Sequence, residues 1–234
     1  MSFFRFKQFT VYQDKTPMKV NTDSVMLGGW CNHNFPSEIL DIGTGTGILA
    51  LMAAQRFLNA KITAIEILPE AAEEAKHNFR LSHWSDRIEL INDDFRKFAT
   101  FTKQKFDLII TNPPYFENQL LPNDEYLQIA KHTQNLSYDE LFYFSKSILN
   151  KKGKISLVIP VSVIDKILAL ADKYDLFPIR RLNIFPNEKK PANRILLELS
   201  DSQANLIEEN IKIRNQNDYT NEYLKLTRDF YLFA

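Results

Sequence analysis

Asn112-Pro113-Pro114-Tyr115 closes the apolar run Phe106-Asp107-Leu108-Ile109-Ile110-Thr111, and its residue types suit the holding of a flat, amine-bearing group. The run reads as a strand that ends on one amide, a stiff backbone and one ring. Proline fixes φ at about −65° and donates no backbone hydrogen bond, so Pro113 and Pro114 must leave the sheet with their carbonyls in a set direction. Taken alone, N-P-P fits a strand-terminating turn equally well. The rest of the chain tips the balance.

Three of the six glycines fall within Asp41-Ile42-Gly43-Thr44-Gly45-Thr46-Gly47, between an expected strand and an expected helix. Backbone there must approach something closely or turn where a Cβ would clash. The spacing is G-x-G-x-G and not the G-x-G-x-x-G of dinucleotide sites, so S-adenosylmethionine fits this loop better than a nicotinamide. The helix behind it presents about half a positive charge, suited to a carboxylate such as that of a methionine moiety. Asp41, Gly43, Thr44, Gly45 and Gly47 are the expected cofactor positions. Glu66 ends the next strand about 20 residues past the glycines, where a carboxylate can accept from both ribose hydroxyls. After the third strand, Asn92-Asp93-Asp94-Phe95 offers Asp94 to an adenine amine and Phe95 to pack the ring. Paired acids after a strand also commonly cap a helix.

The elements that must position these residues follow from period and punctuation. Residues 3–12 alternate aromatic and polar, as in a short strand or hairpin, and residues 18–30 read as a loop entering a helix with Thr22 or Asp23 as N-cap. Strands are expected at 39–42, 61–65, 88–91, 106–111, 154–159, 179–185 and 194–199, with helices at 48–57, 69–82, 137–149 and 161–174. Ser137-Tyr138-Asp139-Glu140 matches a capping box. The alternation predicts an α/β fold: a doubly wound, mostly parallel seven-stranded sheet with helices on both faces and its last strand antiparallel. In such a sheet the carboxyl ends of the strands form the ligand crevice. The glycine loop, Glu66, Asp94 and the N-P-P-Y segment all fall there. One domain is expected over residues 1–234, with 1–36 as an N-terminal strand and helix extension.

Composition narrows the partners. With 234 residues, 44% of them hydrophobic and 25% charged, the chain reads as an ordinary globular protein, and a formal net charge of zero supplies no global field for a polyanion. A nucleic acid must be met by a local patch. Candidates are Arg5, Lys7, Lys15 and Lys19, Lys131-His132, Arg180-Arg181, and above all Lys189-Lys190 with Arg194, in a loop between two strands. The lone cysteine, Cys31, agrees with a cytoplasmic setting. No uncharged run approaches the ~20 residues that span a bilayer. His33, His77 and His83 lack metal-ligand spacing, so no metal is expected.

The order D-I-G-T-G-T-G, acidic ribose binder, D-D-F and N-P-P-Y resembles the class I S-adenosylmethionine-dependent methyltransferases that modify amino nitrogens. Phe6-Lys7-Gln8-Phe9, Met18-Lys19-Val20-Asn21-Thr22-Asp23 and Leu27-Gly28-Gly29-Trp30 are similar to the bacterial tRNA1(Val) adenine-37 N6-methyltransferases. So are Asn193-Arg194-Ile195-Leu196-Leu197-Glu198, Tyr219-Thr220 and Phe230-Tyr231-Leu232. Asn21 departs from the small, glycine-like residue expected there. The resemblance implies a Rossmann-like monomer acting on tRNA. Asn112 and the Pro113 carbonyl would hold an adenine amine and Tyr115 would stack on the base. Pro114, Phe116, Lys189, Lys190 and Arg194 would serve the substrate. A protein glutamine methyltransferase shares the planar NH2 target, as does a DNA adenine enzyme. A non-catalytic cofactor-sensing or RNA-binding protein is the reading from another class.

Overall fold

The computed structural model describes residues 2–113 and 136–233. Pro114, Tyr115, Phe116, Lys131 and His132 lie outside the described residues. An antiparallel hairpin of β1 (Phe3–Arg5) and β2 (Thr10–Tyr12) precedes helix α1 (Thr22–Trp30). Then come β3 (Glu38–Ile42), α2 (Ile48–Arg56), β4 (Lys61–Ile65), α3 (Pro69–Arg80), β5 (Ile88–Ile91), α4 (Phe95–Phe101) and β6 (Phe106–Thr111). The second half carries α5 (Tyr138–Ile148), β7 (Leu149–Pro160), a 3-10 turn at Val161–Val163, α6 (Ile164–Lys173), β8 (Phe177–Asn187), β9 (Arg194–Ser200), β10 (Ile207–Asn215), β11 (Asp218–Tyr219) and α7 (Asn221–Thr227).

The main sheet runs β11-β10-β8-β9-β7-β6-β3-β4-β5. Strands β3 to β9 form the expected seven-stranded body, with β3 to β7 parallel and β9 antiparallel to both β7 and β8. Strand β10, parallel to β8, and the short β11 extend it beyond that expectation. The extension carried only a short, broken apolar alternation, Ile211 and Ile213 among polar residues, and along β10 only Ile211 is buried. Its strand form comes from pairing with β8, because propensity alone is weak for so polar a segment.

Apolar residues fill both faces. One core joins Leu51, Met52, Phe79, Leu108 and Leu196 to α1, the hairpin and Phe230; the other joins Leu40, Ile109, Phe142, Leu157 and Leu197 to α4, α5 and α6. Alternation along each strand feeds both layers, as a sheet covered on two faces requires. Ser137 and Glu140 close the expected capping box on α5. At α1 the cap is Asn21, not Thr22 or Asp23. Its extended backbone (φ −137°) lets the side chain accept from Ser24 N–H at 2.9 Å, so the residue that departs from the family pattern is used as a helix cap.

Candidate active site

The donor half of the site is built where β3 stops. Gly43 and Thr44 N–H both donate to Ile65 O at 2.9 Å, which pins the glycine loop to the end of β4. Gly45 N–H donates to Glu66 Oε2 and Leu68 N–H to Glu66 Oε1, each at 2.9 Å. Glu66 is thus part of the loop's own framework, buried apart from a narrow face (6% exposed). The glycines have different reasons to be glycine. Gly47 has φ +85°, and a Cβ there would stand 2.4 Å from Phe79 Cε1. Gly43 has φ +68° and faces open space, with no atom of the described residues within 4 Å of where its Cβ would be.

Asp41 lies beneath the loop with no exposure. Its Oδ2 accepts from Thr44 Oγ1 at 2.5 Å and Ala50 N–H at 3.1 Å, whereas Oδ1 is buried with no partner among the described residues. Burial pushes its carboxyl up to about 7; the Thr44 and Ala50 hydrogen bonds oppose that, and the charge of Glu66 adds to it. Buried polar atoms are normally satisfied. An orphaned carboxylate oxygen beside a glycine that faces open space fits a cofactor bearing a positive or N–H group, so these residues suit the expected ligand.

Along the same edge, Asp94 is the N-cap of α4, accepting from Arg96 N–H at 2.8 Å, and its carboxylate is gripped by the Arg96 guanidinium. That hydrogen bond first, then the charge and the backbone amides, holds its carboxyl below the ordinary range against partial burial. Phe95, expected to pack a bound ring, is mostly committed to the core. At the first position of α4 it turns inward, 5% exposed and edge-on to Phe144, so it is a core residue. Ile67 and Leu68, each more than a third exposed directly after Glu66, add apolar surface at this edge. Their signal in the sequence was a pair of aliphatics directly after the acid at a strand end. Asn92 Nδ2 braces this turn through Glu66 O at 2.7 Å.

The acceptor half stands one strand away. Ile42 and Thr111 are paired in register between β3 and β6, and Thr111 Oγ1 donates to Ile42 O at 2.9 Å, so Gly43 and Asn112 leave the sheet side by side. Asn112 Nδ2 donates to Ser24 Oγ at 2.9 Å, and Met18 Sδ lies 3.9 Å from the same nitrogen. Pro113 is buried. The N-terminal segment is therefore part of the site. It is clamped there by α3: Asn78 exchanges two hydrogen bonds with the Tyr12 backbone and donates to Thr46 O, while Glu74 accepts from Lys15 N–H, Thr16 N–H and Thr16 Oγ1.

The basic candidates separate. Lys189 and Lys190 are exposed on the β8–β9 turn, at the carboxyl edge, because Arg194 of β9 pairs with Pro160 at the end of β7. Arg194 itself is bonded to Asp23 of α1 (Nε to Oδ2, 2.9 Å), a structural tie that occupies its charge. Lys7 Nζ bonds Arg228 O, and Arg180 and Arg181 pair with Glu209 and Glu208. Among the described residues no cluster of His, Cys, Asp and Glu could hold a metal ion, and no helix is long and apolar enough to cross a membrane.

Comparison with known proteins agrees with this geometry. Residues 19–169 match the family model described as methyltransferase small domain. A tRNA1(Val) (adenine(37)-N6)-methyltransferase of Bacteroides thetaiotaomicron is 41% identical over 232 residues, covering 98% of this chain and 97% of its own length. Proteins of the same description from Trichodesmium erythraeum (40% identical, 98% and 97% covered) and Vibrio parahaemolyticus (39%, 98% and 95%) are similar to the same extent. Among solved structures, one described as a predicted O-methyltransferase from Agrobacterium tumefaciens superposes with a TM-score of 0.71 at 20% identity, covering 89% of this chain and 96% of that one. A methyltransferase from Pyrococcus furiosus gives 0.59 at 20% identity, with 82% and 90% covered. At that identity the two structures speak for the fold.

Proposed function

The chain belongs to the methyltransferase small domain family and, within it, to the tRNA1(Val) (adenine(37)-N6)-methyltransferases, and from that premise we propose that it methylates the exocyclic N6 of adenine 37 in tRNA1(Val), with S-adenosylmethionine as donor. The observation that carries the reading is the adjacency of Asn112 and the glycine loop, one strand apart at the carboxyl edge, with the Asn112 amide turned by Ser24.

When bound, the sulfonium cofactor supplies an electrophilic methyl group for in-line displacement. The protein's part is placement, bringing an amino nitrogen to about 3–3.5 Å from the methyl carbon. An exocyclic adenine nitrogen is a poor nucleophile because its lone pair is delocalised into the ring. Acceptance of its two N–H bonds by Asn112 Oδ1 and the Pro113 carbonyl favours a pyramidal, more reactive nitrogen. Tyr115, with Pro114 and Phe116 beside it, stacks on the extruded base by family resemblance, a contact of about 1–3 kcal/mol. On the donor side, Glu66 takes the ribose hydroxyls and Asp94 the adenine amine. Asp41, buried beneath the glycine loop with Thr44 on its Oδ2, would hold the loop in place under the cofactor's charged end. Lys189 and Lys190 take tRNA phosphates. No metal enters this scheme, and the chain works as a cytoplasmic monomer of one domain.

The test is incubation with methyl-labelled cofactor and total tRNA from a strain lacking the activity, followed by nucleoside analysis. N6-methyladenosine beside the anticodon of a valine tRNA is expected. Label in protein with none in RNA would overturn the reading in favour of a glutamine target.

A further inference from the structure

Arg96 stands between two carboxylates from different elements. On one side its Nε contacts both Asp94 oxygens at 3.0 Å and its Nη2 bonds Oδ2. On the other, Nη1 donates to Glu140 Oε1 at 3.2 Å, while Glu140 Oε2 accepts from Ser137 N–H at 3.0 Å and Ser137 Oγ at 2.7 Å. The guanidinium is therefore held by the capped start of α5 and in turn fixes the cap of α4. All three side chains keep partial exposure, 26% for Asp94, so its carboxylate is not sealed in the core.

An ionised carboxylate only accepts hydrogen bonds, whereas a protonated one can also donate. A planar guanidinium fork that engages both oxygens fixes the plane of the carboxylate, which an ammonium does not do. We propose that Arg96 is a positioning residue for the cofactor's base. Gripping Asp94 from one side and anchored by Glu140 on the other, it presents a fixed, acceptor-only edge that selects an amino-bearing purine over its carbonyl-bearing counterpart. This rests on the reading of Asp94 as the adenine acceptor. A carbonyl oxygen facing that edge meets another acceptor and leaves a polar pair unsatisfied.

Calorimetric affinities of the full chain for S-adenosylhomocysteine and S-inosylhomocysteine test both layers. The wild type is expected to prefer the adenosyl form by about tenfold or more, and Asp94→Asn to lose most of that preference. Arg96→Gln is expected to narrow the ratio to about threefold, with Arg96→Lys in between, because the fork is lost while the charge remains. A purely structural role would weaken both ligands together and leave the ratio unmoved. Absence of preference in the wild type overturns the Asp94 reading and the inference with it. A wild-type ratio in folded Arg96→Gln, or in Arg96→Lys should the glutamine variant not fold, overturns the inference alone and leaves Asp94 in its role.

Discussion

Ser24 Oγ accepts a hydrogen bond from Asn112 Nδ2 at 2.9 Å, across 88 residues of sequence, and so a helix of the N-terminal extension orients the amide at the end of β6. Ser24 is itself buried and its N–H is held by Asn21, which makes the brace rigid. Ser24→Ala removes one hydrogen bond of about 1 kcal/mol and is expected to lower kcat about fivefold, with cofactor affinity unchanged. Asn112→Ala removes the acceptor and is expected to cost about 100-fold in kcat. Single-turnover rates and cofactor titrations separate the two effects. Equal losses in rate and cofactor binding would mean that Asn112 serves the donor and not the acceptor.

The brace also shows what the sequence could and could not reveal. The glycine loop, Glu66, Asp94 and Asn112 were legible because each sits at a strand end, where local pattern and turn chemistry coincide. Ser24, Glu74 and Asn78 were not, since each works through a partner dozens of residues away and occupies an ordinary helix position. The burial of Phe95 was not legible either, because a period cannot tell which face of a short helix meets the core. Arg194 was grouped with the two lysines as a substrate candidate, and its pairing was not legible because Asp23 is remote in sequence and adjacent only in the fold. Strand β10 escaped because its form is imposed by pairing with β8 and not by its own residues.

Asp41 makes stability depend on pH with a definite sign. Its carboxyl lies at about 7 in the folded protein against an ordinary 3.8, so between those values the folded state holds a proton that the unfolded chain has released. Stability from this group is fully present below about 4 and falls as pH rises toward 7, by on the order of 4 kcal/mol at most. Asp94 and Asp107, held below the ordinary range, act in the opposite direction at more acidic pH. Denaturation of the wild type and Asp41→Asn across pH 4 to 8 isolates the effect by difference: the variant should gain relative stability as pH rises. A flat difference would place Asp41 in an environment less apolar than its burial indicates. Binding of a cationic cofactor group should strengthen through pH 7 in the wild type and not in Asp41→Asn.

Lys189 and Lys190 differ from Arg194 in a way that separates binding from folding. Both lysines are exposed on the β8–β9 turn, where substitution would remove the proposed phosphate contacts without disturbing packing. The double change Lys189→Ala with Lys190→Ala is expected to raise KM for tRNA about tenfold, to leave kcat unchanged and to flatten the salt dependence of binding by about one to two charges. Arg194→Ala instead removes the ion pair to part-buried Asp23 and should lower the melting temperature. An unchanged salt slope in the double variant would move the phosphate contact elsewhere.

Gly43 and Gly47 share left-handed backbone but should fail differently. At Gly47 an added methyl would enter the Phe79 ring, 2.4 Å from Cε1, so Gly47→Ala combines strain with overpacking between α2 and α3. A loss of about 2–4 kcal/mol is expected, visible as a drop in melting temperature before any ligand is added. At Gly43 the methyl meets nothing within 4 Å among the described residues and only the strain of φ +68° remains, on the order of 1 kcal/mol. The proposed function puts the cofactor in the open space it would fill. Gly43→Ala should therefore melt close to the wild type while cofactor affinity falls about tenfold or more. Were Gly43→Ala to bind the cofactor normally, the loop's open side would not be the donor site.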